Sequence, residues 1–203
     1  MIWFVIGFVI WAVVHSVTAA SETKSAFRER FGERAYQGWY RLLYNLISLL
    51  TFLPILYILW THIPQVTLWT IPYPLRIASM IIQLLALVGL AISLLQTDVW
   101  SFMGLRQAAR FLQGADDPAV PDRFVRTGTY RWVRHPLYFF SLLFLWLNPV
   151  MTLGSFLFNV LATLYFWIGS IYEERRLLAA FGEAYEEYKR SVPGLVPIRI
   201  FRP

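Results

Sequence analysis

Long uncharged stretches dominate the pattern of hydrophobic and polar positions along this chain. No Asp, Glu, Lys or Arg occurs in residues 2–20, 42–75, 77–97 and 137–172. About 20 apolar residues are enough to cross the hydrocarbon core of a bilayer as one helix. In the second stretch Pro64, Pro72 and Pro74 break any helix, so the membrane segment there is 42–61. The pattern predicts an all-α integral membrane protein.

The last uncharged stretch is too long for a single crossing. Its 36 residues would form a helix of about 54 Å, well beyond the thickness of a bilayer. Asn148 and Pro149 mark the break, with arms at 137–147 and 152–172. The sequence therefore predicts five transmembrane helices, the last two packed as a helical hairpin.

The distribution of basic residues predicts the orientation. Four loops and the carboxyl-terminal tail carry five, one, six, no and six Lys and Arg residues in chain order. Basic loops face the cytoplasm, which predicts an amino terminus outside and a cytoplasmic carboxyl terminus, in a bacterial inner membrane. We expect a retained first helix rather than a signal peptide, because no basic residue precedes it. Topology and lipid headgroups also account for the net charge of +6, so no nucleic-acid partner is expected.

Composition excludes several classes of protein. Hydrophobic residues make up 58% of the chain and charged residues 15%, which is incompatible with a soluble globule or a disordered chain. The absence of cysteine excludes disulfides, thiolate metal sites and cysteine nucleophiles. The chain has three histidines, His15, His62 and His135, and the predicted topology puts His62 on the opposite side of the membrane from His135. No metal site is therefore expected.

We expect one membrane domain over residues 1–203. It comprises a three-helix amino-terminal part, 1–97, and a carboxyl-terminal part, 98–203. Within the polar stretch, 100–112 has the spacing of an interfacial helix. Residues 114–122, with Asp116, Asp117, Pro118 and Pro121, predict an exposed turn. A lid and a plain linker both fit this stretch.

The segment 128–138 is the first candidate site. Pro136 suits the first turn of the fourth predicted helix, which puts Arg134 and His135 at the positive end of the helix dipole. Such a point binds a carboxylate or a phosphate. Alternatively, the arginines extend to lipid headgroups, and Trp132 and Tyr138 belong to an aromatic belt.

Glu173 and Glu174 form the second candidate site, at the end of the fifth predicted helix. We expect this helix to run on to Phe181, with Gly182 at its end. Glu173 and Arg176 are spaced for an ordinary surface ion pair. Alternatively, one carboxylate points inward and holds a cationic group. If the last two helices pack together, an anion site faces a cation site, which suits a zwitterionic ligand.

At these residues the sequence resembles a known superfamily, the isoprenylcysteine carboxyl methyltransferases and phospholipid methyltransferases. The signature consists of residues 128–138, Glu173-Glu174, residues 181–185, Tyr188 and Val192-Pro193. The resemblance implies a membrane methyltransferase that uses S-adenosyl-L-methionine as cofactor. It also implies that the carboxyl-terminal part, 98–203, binds this cofactor in a cytoplasmic pocket between the last two helices and the tail. A Rossmann G-x-G-x-x-G unit is absent, which agrees with such a site.

The resemblance also implies roles for individual residues. By similarity, the cofactor-binding residues are Phe124, Val125, Tyr130, His135, Pro136, Leu137, Tyr138 and Glu173. We expect Arg134 beside the cofactor's carboxylate and Glu173 beside its ammonium, with His135 and Arg134 as the catalytic pair. Because a thiol acceptor must lose a proton, the candidate bases are His135, the more distant His15, and hydroxide from water. Alternatively, His15 has a structural role as a hydrogen-bonded histidine.

A narrower resemblance concerns the methyl acceptor. Several short segments are similar to methanethiol S-methyltransferases and to related denitrification-associated membrane proteins: His15-Ser16, Tyr44, Ile63-Pro64, Trp69, residues 104–107, Trp146, Pro149, Met151, Thr152 and Gly154. This implies a small lipophilic thiol as acceptor. A prenylcysteine carboxylate and a phospholipid amine are alternative acceptors, and a non-enzymatic membrane scaffold is a third hypothesis.

Overall fold

The computed structural model describes residues 1–119 and 124–198. Its helices are α1 (Ile2–Ala19), α2 (Ser21–Phe31), α3 (Glu33–Thr61), α4 (Leu75–Gln96), α5 (Val99–Phe102), α6 (Leu105–Leu112), α7 (Pro136–Trp146), α8 (Leu153–Phe181) and α9 (Glu183–Ser191). A two-stranded sheet contains β1 (Thr67–Thr70) and β2 (Val150–Thr152), and a 3₁₀ turn covers Gly128–Arg131. Pro121 and Asp122 of the predicted turn, and the basic residues Arg123, Arg199 and Arg202, lie outside the described residues.

Long apolar helices make this chain an integral membrane protein. Among the described residues, α1, α3, α4 and α8 are the four helices with the length and composition of a membrane span. The helix α7 has only 11 residues, about 16 Å at 1.5 Å per residue, so its length alone does not qualify it. Four of the five predicted spans are thus long enough to cross.

The described residues divide into two compact units. One lies within Met1–Ile63 and Asp98–Arg123, and the other within Pro64–Thr97 and Phe124–Pro203. These units interleave along the chain instead of meeting near residue 97. The expectation of a single domain over 1–203 stays a prediction.

In the first unit α1 packs along α3. Phe4 is fully buried, and Phe8 and Ile55 are nearly so. The helix α3 begins at Glu33 rather than near residue 42, because its charged first turns continue the helix beyond the apolar stretch. The expected interfacial helix over 100–112 consists of α5 and α6, which are separated by Gly104 in the left-handed conformation (φ +85°).

In the second unit α7 runs antiparallel to α4. The Ser79 hydroxyl donates to the carbonyl of Leu147, and Gln83 Nε2 donates to the carbonyl of Phe144 over 2.8 Å. Nearer the start of α7, the Phe140 ring packs directly on Gly89 of α4. A Cβ built on Gly89 would lie only 2.5 Å from this ring. Close packing therefore continues along the whole of α7.

The sheet departs from the all-α expectation. It pairs β1 and β2 antiparallel, with Thr67 opposite Thr152 and Thr70 opposite Val150. The fold is mostly helical, with this small sheet joining the α3–α4 connection to the α7–α8 connection. Strands of three or four residues are too short to show an alternating pattern in the sequence.

Three predicted helix boundaries are confirmed. Pro136 is the first residue of α7, Asn148 and Pro149 lie in the break before α8, and α8 ends at Phe181. Gly182 follows with φ +53°, a conformation that glycine adopts without steric cost.

Candidate functional site

The centre of the candidate site is the imidazole of His135, which immediately precedes α7. Its Nε2 lies 3.2 Å from Oε1 of Glu174, and its Nδ1 lies 3.4 Å from Oε2 of Glu173. The side chain is almost completely buried. Consecutive residues on α8 therefore both reach this one ring, although the sequence assigned an inward direction to only one of them.

This arrangement favours the imidazolium form of His135. Carboxylates accept hydrogen bonds and do not donate them. A ring nitrogen that faces a carboxylate is therefore stabilised when it carries a proton. Burial acts to lower the pKa of His135, but the hydrogen bonds to Glu173 and Glu174 outweigh it, and the pKa is raised. An imidazolium that donates at both nitrogens has no lone pair for a substrate proton.

Arg134 ties the carboxyl-terminal segment to α8. Its Nε and Nη2 donate to Oε1 of Glu174 over 2.9 and 2.7 Å. Its Nη1 donates to the carbonyls of Val192 and Lys189 over 2.5 and 3.1 Å. The guanidinium, expected beside a ligand carboxylate, is thus directed at protein acceptors, and its position is that of a structural anchor.

The two carboxylates differ in what surrounds them. Glu174 has a 14% exposed side chain and also pairs with Lys189 Nζ at 3.2 Å. The side chain of Glu173 is 33% exposed, and its Oε2 accepts a 3.0 Å hydrogen bond from the Tyr138 hydroxyl. Among the described residues no hydrogen bond reaches Oε1 of Glu173. Glu173 is therefore the carboxylate that can meet a ligand.

Aromatic faces flank this carboxylate. The Tyr138 ring lies nearly parallel to the His135 imidazole, at 5.4 Å and 9°, and to the Phe166 ring, at 4.8 Å and 10°. A carboxylate next to aromatic rings is a favourable environment for a positively charged group. Predicted residues Pro136 and Leu137 hold this stack at the start of α7, Pro136 buried and Leu137 half-buried.

A second aromatic cluster contains Phe124 and residues of α8 and α9. Phe124 stacks on Phe181 at 5.0 Å and also contacts Tyr185 and Tyr188. Burial raises the pKa of Tyr188 to about 12. The Tyr185 hydroxyl is buried and has no hydrogen-bond partner in the described part of the chain. Val125, also predicted, is half-buried beside this cluster.

Tyr130 links the cluster to the centre of the site. Its carbonyl accepts a 2.6 Å hydrogen bond from the Tyr188 hydroxyl. Burial raises the pKa of Tyr130, and the Glu173 carboxylate raises it further. The 3₁₀ turn that contains Tyr130 is fixed on α4, because Oε1 of Gln96 accepts hydrogen bonds from both the backbone N–H and the hydroxyl of Thr129, over 3.1 and 2.7 Å.

The structure brings together His135, Tyr138 and Glu173 as the sequence analysis expected, with Tyr130 and Phe124 on the adjoining side. The sequence placed Glu174 in the second candidate site and Tyr185 and Tyr188 in the signature without giving them individual roles, and Lys189 was missed. A signal for the tyrosines was present: they are three positions apart in a short polar helix, so they share one face.

His15 belongs to the first unit and has different partners. Its Nδ1 lies 2.6 Å from the Ser48 hydroxyl, and its Nε2 lies 2.5 Å from the Tyr44 hydroxyl. Trp11 stacks on its ring at 5.1 Å. These contacts fit the expectation of a hydrogen-bonded structural histidine.

Comparison with known proteins identifies the family. Methanethiol S-methyltransferase 1 of Bradyrhizobium diazoefficiens is 33% identical over 69% of this chain and 48% of its own length. Methanethiol S-methyltransferase of Mycobacterium tuberculosis is 34% identical over 70% of this chain and 58% of its own length. A shorter match, 37% identical over 36% of this chain and 33% of its own length, is to protein-S-isoprenylcysteine O-methyltransferase of Schizosaccharomyces pombe.

The chain spans about half the length of the curated methanethiol S-methyltransferases that it matches. No solved structure matches it significantly. These relatives agree with the superfamily resemblance that the residues around His135 and Glu173 indicate. The family model described as NnrU protein matches residues 3–176, which include both of those residues, and the chain therefore belongs to the NnrU protein family.

Proposed function

We propose that this protein is an integral membrane methyltransferase that uses S-adenosyl-L-methionine and methylates a small thiol, methanethiol. The names of the relatives support the reaction and the acceptor. The products would be a thioether, dimethyl sulfide, together with S-adenosylhomocysteine and the thiol proton, because the methyl group leaves the sulfonium as it joins the thiol sulfur.

The observation that carries this proposal is the partly exposed carboxylate of Glu173 beside the parallel rings of His135, Tyr138 and Phe166. S-adenosyl-L-methionine carries positive charge on its ammonium and its sulfonium, and both suit a carboxylate flanked by aromatic faces. The donor set therefore fits this cofactor. When bound, it supplies a methyl group on a positively charged sulfur.

The roles of the chain's own residues follow from their contacts. Glu173 attracts the cationic part of the ligand, while Tyr138 orients that carboxylate by hydrogen bonding. Pro136 and Leu137 line the site on the same side as Tyr138. Tyr130, Phe124 and Val125 line its adjoining side. Burial of these groups limits access of water, which strengthens the electrostatic attraction.

The predicted catalytic pair, His135 and Arg134, acts in this proposal through position rather than proton transfer. His135 holds Glu173 and Glu174 in place, and Arg134 fixes Glu174 and the carboxyl-terminal segment. Because both ring nitrogens of His135 face carboxylates, the ring is not positioned to take the thiol proton, which is released to water. The site then needs only to hold the reactants in line, which can contribute several kcal/mol to lowering the barrier.

We further propose that α7 is a fifth crossing and forms a hairpin with α8. Contacts at both ends support it: Tyr138 meets Glu173, and Trp146 Nε1 donates to the Thr163 hydroxyl over 3.0 Å. The β1–β2 pairing also brings the end of α7 to the same side as the start of α4. With five crossings, the basic loops support a site at the cytoplasmic face of a bacterial inner membrane and an amino terminus outside.

Binding and turnover test the proposal separately. We expect the protein purified in detergent to bind S-adenosyl-L-methionine in titration calorimetry, and Glu173→Gln to weaken binding at least tenfold by removing the negative charge. Glu186→Gln is the matched control, because Glu186 is an exposed carboxylate that pairs weakly with Arg190 at 3.8 Å. Its affinity should equal that of the wild type.

Headspace gas chromatography then measures dimethyl sulfide formed from methanethiol. No binding by the wild type would refute the methyl donor. Binding without dimethyl sulfide would refute the acceptor, and a panel containing a prenylcysteine acid and phosphatidylethanolamine would identify the alternative. Binding with no methylation of any acceptor would favour the scaffold hypothesis.

A further inference from the structure

Gly169 of α8 is a glycine that packing does not require. The nearest described atom to a Cβ built on it is the Tyr138 hydroxyl oxygen, at 4.0 Å, an ordinary contact distance. By contrast, a Cβ on Gly89 would stand 2.5 Å from the Phe140 ring. Glycine lowers the stability of a helix interior relative to alanine. Gly7 of α1 has the same 4.0 Å clearance, so clearance alone does not give the reason for a glycine at position 169.

The position of Gly169 supplies that reason. Glu173 follows it by four residues, so both lie on one face of α8, about 6 Å apart along the axis. Tyr138 connects them, because its hydroxyl contacts the Gly169 position and donates to Glu173. Phe166, three residues before Gly169, stacks on the same Tyr138 ring. Tyr138 thus borders the Gly169 position, and the same side chain contacts both Phe166 and the ligand-facing carboxylate of Glu173.

We propose that Gly169 keeps open the space in which the methyl acceptor binds, and that its missing side chain sets the size of acceptor the protein takes. This inference rests on the proposed methyltransferase function. Glu173 repels an acceptor that carries a carboxylate, whereas the aromatic faces of Tyr138 and Phe166 suit the polarisable sulfur of a small thiol that binds in its neutral form. Gly169 is a specificity-determining residue and takes no part in the bond changes.

Stepwise filling of this space tests the inference. In Gly169→Ala we expect kcat/KM for 1-butanethiol to fall at least tenfold and kcat/KM for methanethiol less than threefold. In Gly169→Val we expect kcat/KM for methanethiol also to fall tenfold or more. The melting-temperature shift that each thiol produces in the presence of S-adenosylhomocysteine provides a readout independent of turnover, and it should decline in the same order.

Gly7→Ala is the matched control. Gly7 lies inside α1, and a Cβ there would also have 4.0 Å of clearance, from Cγ1 of Ile55. Both alanine variants should keep or raise the melting temperature, since each adds a better helix former without a clash. Gly7→Ala should leave the ratio of the two kcat/KM values unchanged.

Three outcomes would overturn the inference. One is a ratio of the two kcat/KM values that stays within twofold of the wild type in Gly169→Ala and Gly169→Val. The second is a large loss of S-adenosyl-L-methionine affinity in Gly169→Ala, which would assign the space to the methyl donor. The third is a wild type that binds S-adenosyl-L-methionine but neither binds nor methylates any thiol. That result also refutes the proposed acceptor, and it differs from the first two outcomes because the wild type itself fails.

Discussion

Two histidines of this protein, the half-buried His15 and the buried His135, have opposite kinds of partner. His15 meets two neutral hydroxyl groups, those of Ser48 and Tyr44. His135 meets two carboxylates, those of Glu173 and Glu174. Each ring has a partner at both nitrogens, so the number of contacts does not distinguish the sites. The charge of the partners does.

The partners of His15 assign it one proton. The Ser48 hydroxyl donates to the backbone carbonyl of Tyr44 over 2.7 Å, so the proton shared with His15 belongs to Nδ1. Nε2 then accepts from the Tyr44 hydroxyl. A neutral imidazole satisfies all these bonds. Around His135, by contrast, only the doubly protonated ring donates to both neighbours, and the result is a network of alternating charges.

The largest expected effect comes from removing the anchor of that network. Arg134→Met would leave Glu174 with less compensating charge and strip the carbonyls of Lys189 and Val192 of their donor. Breaking a largely buried ion pair costs about 3–5 kcal/mol. We expect a matching loss in the free energy of unfolding, measured by thermal or chemical unfolding in detergent.

Arg190→Met controls for the loss of a positive charge, since that side chain is 79% exposed. It should change the free energy of unfolding by less than about 0.5 kcal/mol. Equal effects from the two substitutions would contradict the anchor role of Arg134.

A smaller effect, with a defined pH dependence, is expected for His135→Gln. Because the pKa of His135 is raised in the folded protein, its stabilising contribution is complete below pH 6.5 and is lost as the pH rises through the folded-state value. We expect about 2 kcal/mol of destabilisation at pH 6, the magnitude for hydrogen bonds to charged groups. Unfolding measured from pH 6 to pH 9 should show a decline for the wild type that the variant lacks.

The smallest effect is expected at the neutral site. His15→Gln loses hydrogen bonds to uncharged partners, each worth about 1 kcal/mol or less within a membrane protein. The variant should keep the pH-dependent decline of the wild type in the same unfolding series. Loss of that decline in His15→Gln would mean that the comparison between the two histidines is wrong.

Most of the helical fold could be read from the sequence, because uncharged length reports membrane spans directly. The same signal misplaced the start of α3, since a helix can continue into charged residues such as Glu33 that do not belong in lipid. It also predicts that α7 is a span, and because that helix has only 11 residues, its crossing stays a proposal. Hydropathy reports the environment of a segment and not where its hydrogen bonding ends.

The candidate site was predictable in part. Proline and helix-dipole arguments located His135, and the carboxylate opposite it followed from the cost of a charge at the membrane boundary. The direction of Arg134 was not predictable, because its acceptors include backbone carbonyls of Lys189 and Val192, which any sequence supplies. Likewise, residues 100° apart on a helix can both reach a ring that lies between them, as Glu173 and Glu174 do.

The short sheet has a consequence for how the chain assembles. Gln65 and Thr152 are 87 residues apart and share a 3.1 Å hydrogen bond between their side chains, next to the ladder of β1 and β2. Synthesis proceeds from the amino terminus, so β1 and α4 leave the ribosome well before β2 exists. Closing so long a loop is entropically costly and slow. The second unit therefore completes its folding only after α7 has been made, and a chain truncated before Val150 would keep α4 without its strand connection.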